Sequence, residues 1–123
     1  MTGQEAIIFA GEAHKKFYEE QLLKCRSQDC WHKALIYALG ITENIRSHFK
    51  YAYSMESDRI NRDSLSQGWV TGTDARVMRL AFTLFTDCVP ADEDEARKYQ
   101  INNIFGSVNT RFLCQAIKLR YDN

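Results

Sequence analysis

The group Cys25-x4-Cys30-Trp31-His32 places two soft metal ligands and one borderline ligand within a single short stretch. Zinc asks for four such ligands in a tetrahedral array, usually supplied as two tight pairs such as C-x2-C. The spacing here is loose and no second pair answers it, so Cys25, Cys30 and His32 are a thin basis for a metal centre. No metal and no other cofactor is expected. Thiol or acid–base chemistry would need His14 to converge on the same group from a neighbouring helix. The chain carries no G-x-S-x-G elbow, no Walker loop, no H-E-x-x-H helix and no G-x-G-x-x-G fingerprint. The expectation is a non-catalytic protein that binds a macromolecular partner, a protein first. The alternative is a small enzyme or metal-binding domain centred on Cys25, Cys30 and His32.

Arginine supplies the sharper feature. Arg76, Arg79, Thr83 and Thr86 are spaced by 3, 4 and 3 and form one narrow polar stripe on an otherwise apolar segment. An arginine among Val77, Met78, Leu80 and Ala81 must reach water or a partner, because an unpaired buried charge is costly. One reading is an internal salt bridge or carbonyl clamp, with Asp74, Asp87 or the polar middle stretch as partner. The other is a notch that receives an acidic group of a ligand or partner protein. Trp69, just after Gly68, is expected to fold back as a lid on the core; an exposed Trp69 would instead anchor an interface. Arg111 and Lys118, with Arg120, are cations on the last helix that either meet phosphate or sit near the helix C-terminus, where its dipole favours them.

Composition bounds these readings. The 123 residues hold 16 Lys plus Arg against 16 Asp plus Glu, so the formal net charge is zero. A neutral total argues against bulk electrostatic binding of nucleic acid. With 45% apolar residues, the chain has enough surface to bury to offset the entropy of ordering. The longest apolar run, 34–41, is far short of the roughly 20 residues that span a bilayer. The Ala6–Ala10 run is shorter and follows Glu5, where a signal peptide would want a positive flank. A cytoplasmic protein with reduced thiols is expected, and Cys114, inside an apolar pattern, is expected to be buried.

Helical spacing dominates the elements that must carry these side chains. The sole proline is Pro90. A first helix is predicted from about Gly11 to Lys24, with Ala13, Phe17 and Leu22/Leu23 near its apolar face. The Ile7-Ile8-Phe9 piece before it reads equally as helical or extended. Asp29 caps a second helix, apolar almost all round and stopped by Gly40. Thr42 caps a third, to about Tyr53. Residues 54–72 read as irregular and polar, with one short turn near Arg62–Ser66. Asp74 to Thr86 forms the next helix, the acidic run Asp92–Glu95 starts a short one, Ile101–Gly106 is loop or turn, and the last helix reaches Tyr121. The expected fold is a single-domain, all-α bundle of four to five main helices.

Four stretches taken in order support a family resemblance: Ala13-His14-Lys15-Lys16-Phe17-Tyr18; Lys33-Ala34-Leu35-Ile36-Tyr37-Ala38-Leu39-Gly40; Gly68-Trp69 with Arg76-x2-Arg79-Leu80-Ala81-Phe82-x-Leu84-Phe85; and Ala116-Ile117-Lys118-Leu119-Arg120-Tyr121. The chain resembles a family of small helical proteins, a domain of unknown function from gut Firmicutes and their mobile elements. It departs from that pattern at Tyr53-Ser54-Met55-Glu56, where the family tends to an aromatic–acidic stretch. The resemblance brings no catalytic residue or cofactor. It implies a bacterial or phage setting and an accessory factor that modulates a host or defence system.

Overall fold

The computed structural model describes residues 6–106 and 109–122. Among them, four helices are ten residues or longer: α1 (Glu12–Lys24), α2 (Cys30–Leu39), α5 (Gly72–Thr86) and α8 (Thr110–Tyr121). Shorter helices lie between them: α3 (Glu43–Ser47), α4 (Phe49–Ala52), α6 (Glu93–Arg97) and α7 (Ile101–Ile104). The chain is mostly helical, as its spacing predicts.

Helix α2 lies at the centre. Asp29 caps it by accepting from the His32 amide at 2.9 Å, and Ala34 to Leu39 are fully buried. Having no polar face, it must be covered on all sides, and α1, α5 and α8 pack against it. Gly40 ends it at a point of close approach. A Cβ on Gly40 would lie 2.6 Å from the Phe17 ring and 2.9 Å from His14, so glycine is what lets α1 close over the end of α2.

The buried face of α1 differs from the expected one. His14 and Tyr18 are the buried residues, whereas Ala13 and Leu23 are exposed. A hydrophobicity pattern misses this because His14 is held by hydrogen bonds: its Nδ1 accepts from the Ala10 amide at 3.0 Å and its Nε2 donates to the Tyr37 carbonyl at 2.8 Å. The segment before α1 is extended. There Tyr37 donates its hydroxyl to the Ile8 carbonyl, and the Ile8 amide donates to Gln115.

The single third helix predicted to about Tyr53 is two. His48 turns its ring nitrogen onto the Asn44 carbonyl at 2.8 Å, and its own amide goes to Ile45 instead. The i→i−4 ladder is thereby interrupted between α3 and α4. A two-residue hairpin then follows, β1 (Tyr53–Ser54) against β2 (Arg59–Ile60), antiparallel, with Tyr53 opposite Ile60. Asp58, in its turn, takes φ 56°. A 3-10 turn spans Arg62–Ser66, so the middle stretch has more order than its composition implies.

Helix α5 opens on a reciprocal capping box. Thr71 accepts from the Asp74 amide, and Asp74 accepts from the Thr71 amide. Asp74 is buried and also accepts from Thr42 and Asn44. Those bonds outweigh the burial that would raise its pKa and hold it below the usual carboxylate range. Asp74 therefore ties α5 to α3. Cys114 is exposed, contrary to expectation, because α8 presents Leu113 and Ala116 inward and turns position 114 to solvent.

Candidate functional site

Two polar arrangements stand out, and they lie on different elements. The first is an open notch of about 420 Å3 lined by Gly72, Ala75, Arg76 and Arg79 of α5, with Lys98 and Asn103 from the segment around α6 and α7. The 3–4 spacing on α5 puts the two arginines on one seam, and the chain after Pro90 folds back over that seam.

Arg76 donates Nη1 to the Asn103 carbonyl at 2.9 Å, a carbonyl clamp whose partner lies after Pro90 and not at Asp74, Asp87 or the polar middle stretch. Arg79 is different. Its guanidinium lies 6.0 Å from the centre of the Tyr99 ring, its Nε is buried without a hydrogen-bond partner, and no carboxylate pairs with it among the described residues. Both expected acidic partners are engaged elsewhere: Asp74 at its cap, and Asp87 with Arg120 at 3.1 Å. Arg62 packs on the same Tyr99 ring, but its nitrogens are committed to the Tyr99 hydroxyl, Thr86 and the Cys88 carbonyl. Lys98 reaches Glu95 at 2.9 Å, with both side chains about half exposed. Such a contact is weak in water. The notch is thus cationic and incompletely neutralised.

The second arrangement is centred on a buried ring. His32 has Nδ1 at 2.7 Å from Asp29 and Nε2 at 2.8 Å from Asp58. Two carboxylates on two ring nitrogens favour the imidazolium form, in which each nitrogen carries a hydrogen to donate. Burial would lower its pKa, but the carboxylates outweigh burial and raise it. The Tyr53 hydroxyl also donates to Asp58 in a short bond. Burial and that bond push the Tyr53 phenol far above its ordinary value. Asp58 is held low by its donors despite some burial. The cluster clamps the hairpin to the N-terminus of α2, with the His32 ring buried and the Asp29 carboxylate at the surface.

This geometry places the three metal candidates. Cys25 is buried, its thiol directed at the Gln21 carbonyl and pushed up to about 11 mainly by burial. Cys30 faces Arg120 at 4.0 Å. Both ring nitrogens of His32 are engaged by carboxylates. Among the described residues, no group of three or more Cys, His, Asp and Glu side chains could hold a metal ion. His14, with its pKa lowered to about 4 by burial, sits apart on the Tyr37 side of α2.

The chain matches a family of unknown function, DUF6075, over residues 4–123. It belongs to that family. No curated protein and no solved structure matches it. The family match bears out the resemblance read from the four stretches, and no helix among the described residues is long and apolar enough to cross a membrane.

The remaining candidates separate clearly. Trp69 packs partly buried against the core, stacks on His48 at 4.4 Å with the rings nearly parallel, and donates Nε1 to Gln67. It is a lid. Arg111 lies exposed over Phe112, and Lys118 is exposed on the same helix. Arg120 is buried, with its guanidinium 3.2 Å from the centre of the Trp31 ring and Nε on the Leu84 carbonyl at 3.0 Å. It joins α8 to the end of α5 rather than facing phosphate. Sequence alone does not nominate Lys98 and Asn103, since nothing in their spacing ties them to α5. The signal that finds the site is the arginine stripe itself.

Proposed function

We propose that this DUF6075 member is a non-catalytic binding module that seats an acidic group of a protein partner in the notch formed by Arg76, Arg79 and Lys98. The observation that carries the reading is Arg79, which lines an open notch with no acidic partner among the described residues, while Arg76 beside it holds one backbone carbonyl and Thr83 and Thr86 bond within the helix. A guanidinium left without an acceptor at such a place is poised for a charge-assisted bond to a carboxylate or phosphate. An accessory role on a phage or mobile element, modulating a host or defence system, fits a small binder of this kind.

The test is a tagged capture from nuclease-treated native lysate, run with the native chain and with Arg79→Gln. A stoichiometric protein retained by the first and lost with the second, at unchanged melting temperature, supports the proposal. A partner retained equally by both contradicts it.

A further inference from the structure

We infer that the acidic group this notch takes is a phosphomonoester carried on a protein side chain; the inference rests on the binding role proposed above and specifies its ligand. The argument begins with charge. Arg76, Arg79 and Lys98 line the notch, and Glu95 is the one acidic side chain bonded to any of them among the described residues. An excess of two positive charges therefore remains. A carboxylate answers one of them, whereas a phosphomonoester carries about −1.5 to −2 near neutral pH and answers both.

Donor geometry adds to the charge argument. Arg76 spends only Nη1 on the Asn103 carbonyl, which leaves its other nitrogens. The terminal nitrogens of Arg79 have no acceptor among the described residues. Lys98 is held only by a half-exposed contact to Glu95, which a stronger anion outcompetes. Gly72 stands at the first position of α5, and a helix of 15 residues directs unpaired amides and its positive dipole end toward the notch. The Asp74 amide is already capped by Thr71, and of the two first-turn residues before it, Gly72 and Thr73, Gly72 lines the notch. A Cβ at Gly72 would meet nothing within 4 Å, so an approaching group has room there. Three oxygens on a tetrahedral centre can meet donors from three directions, which a planar carboxylate cannot. A phosphodiester, with one charge and two free oxygens, fits less well.

The experiment is a 15N chemical-shift titration of the full chain at pH 7.2 and constant ionic strength. The probes are inorganic phosphate, sulfate, acetate, a five-residue alanine peptide with central phosphoserine, the same peptide with glutamate in its place, and a short single-stranded oligonucleotide. Phosphate, sulfate and the phosphopeptide should shift the amides of Gly72, Ala75 and Asn103, with acetate and the glutamate peptide about tenfold weaker. Loss of one charge-assisted bond in Arg79→Gln should weaken phosphate binding about tenfold, and Arg79→Lys should recover part of it. Acetate equal to phosphate overturns the inference, as does phosphate binding that Arg79→Gln leaves unchanged. So does an oligonucleotide that matches the phosphopeptide, or a phosphopeptide that fails where free phosphate binds. A glutamate peptide that shifts the notch while phosphate does not overturns the phosphate assignment but leaves the proposed function standing. No shift from any probe removes both.

Discussion

Replacing His14 by glutamine should remove a defined part of the protein's sensitivity to acid. The ring is 1% exposed and its pKa falls from 6.5 to about 4, chiefly because burial disfavours the charged form. A folded-state pKa below the unfolded one means that the unfolded chain binds the proton first. Stability is complete above about pH 6.5 and declines as the pH falls toward the folded value. Between pH 8 and pH 5 the His14 share of that loss is about 2 kcal/mol, since a tenfold difference in proton affinity is worth about 1.4 kcal/mol and the loss is not complete at pH 5. For a chain of this size, that corresponds to roughly 8 °C in melting temperature. Urea unfolding at pH 8 and pH 5, for the native chain and His14→Gln, measures it. Glutamine keeps a donor for Tyr37 and an acceptor for Ala10 without titrating. His32, whose pKa is raised, contributes with the opposite sign, but it does so in both proteins and cancels in the comparison. Equal loss of stability in the two proteins between pH 8 and pH 5 would refute the reasoning.

Three further outcomes follow from the packing. His32→Gln should cost about 2–4 kcal/mol at pH 6, from two charge-assisted bonds with the Asp29 bond discounted because that carboxylate is 42% exposed. Because the folded pKa of His32 is raised, the difference from the native chain should shrink as the pH rises through it, and hydrogen exchange should quicken across 53–60. Gly40→Ala should destabilise by about 1–3 kcal/mol through the Phe17 and His14 clash, read by denaturant midpoint. Arg120→Lys should cost about 1–3 kcal/mol and change Trp31 fluorescence, since lysine cannot both stack on the indole and fork to Leu84 and Asp87.

Much of the fold is legible in spacing, and the exceptions have local causes. Caps at Asp29 and Thr42, with the apolar runs behind them, locate α2 and the start of α3, and the arginine stripe locates α5, which begins at Gly72 behind Thr71 rather than at the predicted Asp74. The hairpin at Tyr53–Ile60 leaves no period to read, because each strand is two residues long. The break at His48 is a side-chain bond to Asn44 that no propensity encodes. Buried His14 defeats a hydrophobicity pattern because its polarity is met by backbone partners brought by α2 and the extended lead-in. For the site, the 3–4–3 stripe places Arg76 and Arg79 on one seam. Which groups cover that seam depends on how the stretch after Pro90 folds back, and that is decided by tertiary packing. The expected acid partners, Asp74 and Asp87, are drawn off by Thr71, Asn44 and Arg120, and so Arg79 is left without one.

Site-directed photo-crosslinking in native lysate tests the central claim most directly. A photoreactive residue at Asn103 reports the rim of the notch, and one at Leu23, 79% exposed on α1, reports an exposed apolar position on an element that does not line it. The account predicts one protein adduct from position 103, abolished by Arg79→Gln, and none from position 23. An adduct formed from position 23 and not from 103, or one from 103 that survives Arg79→Gln, would contradict it.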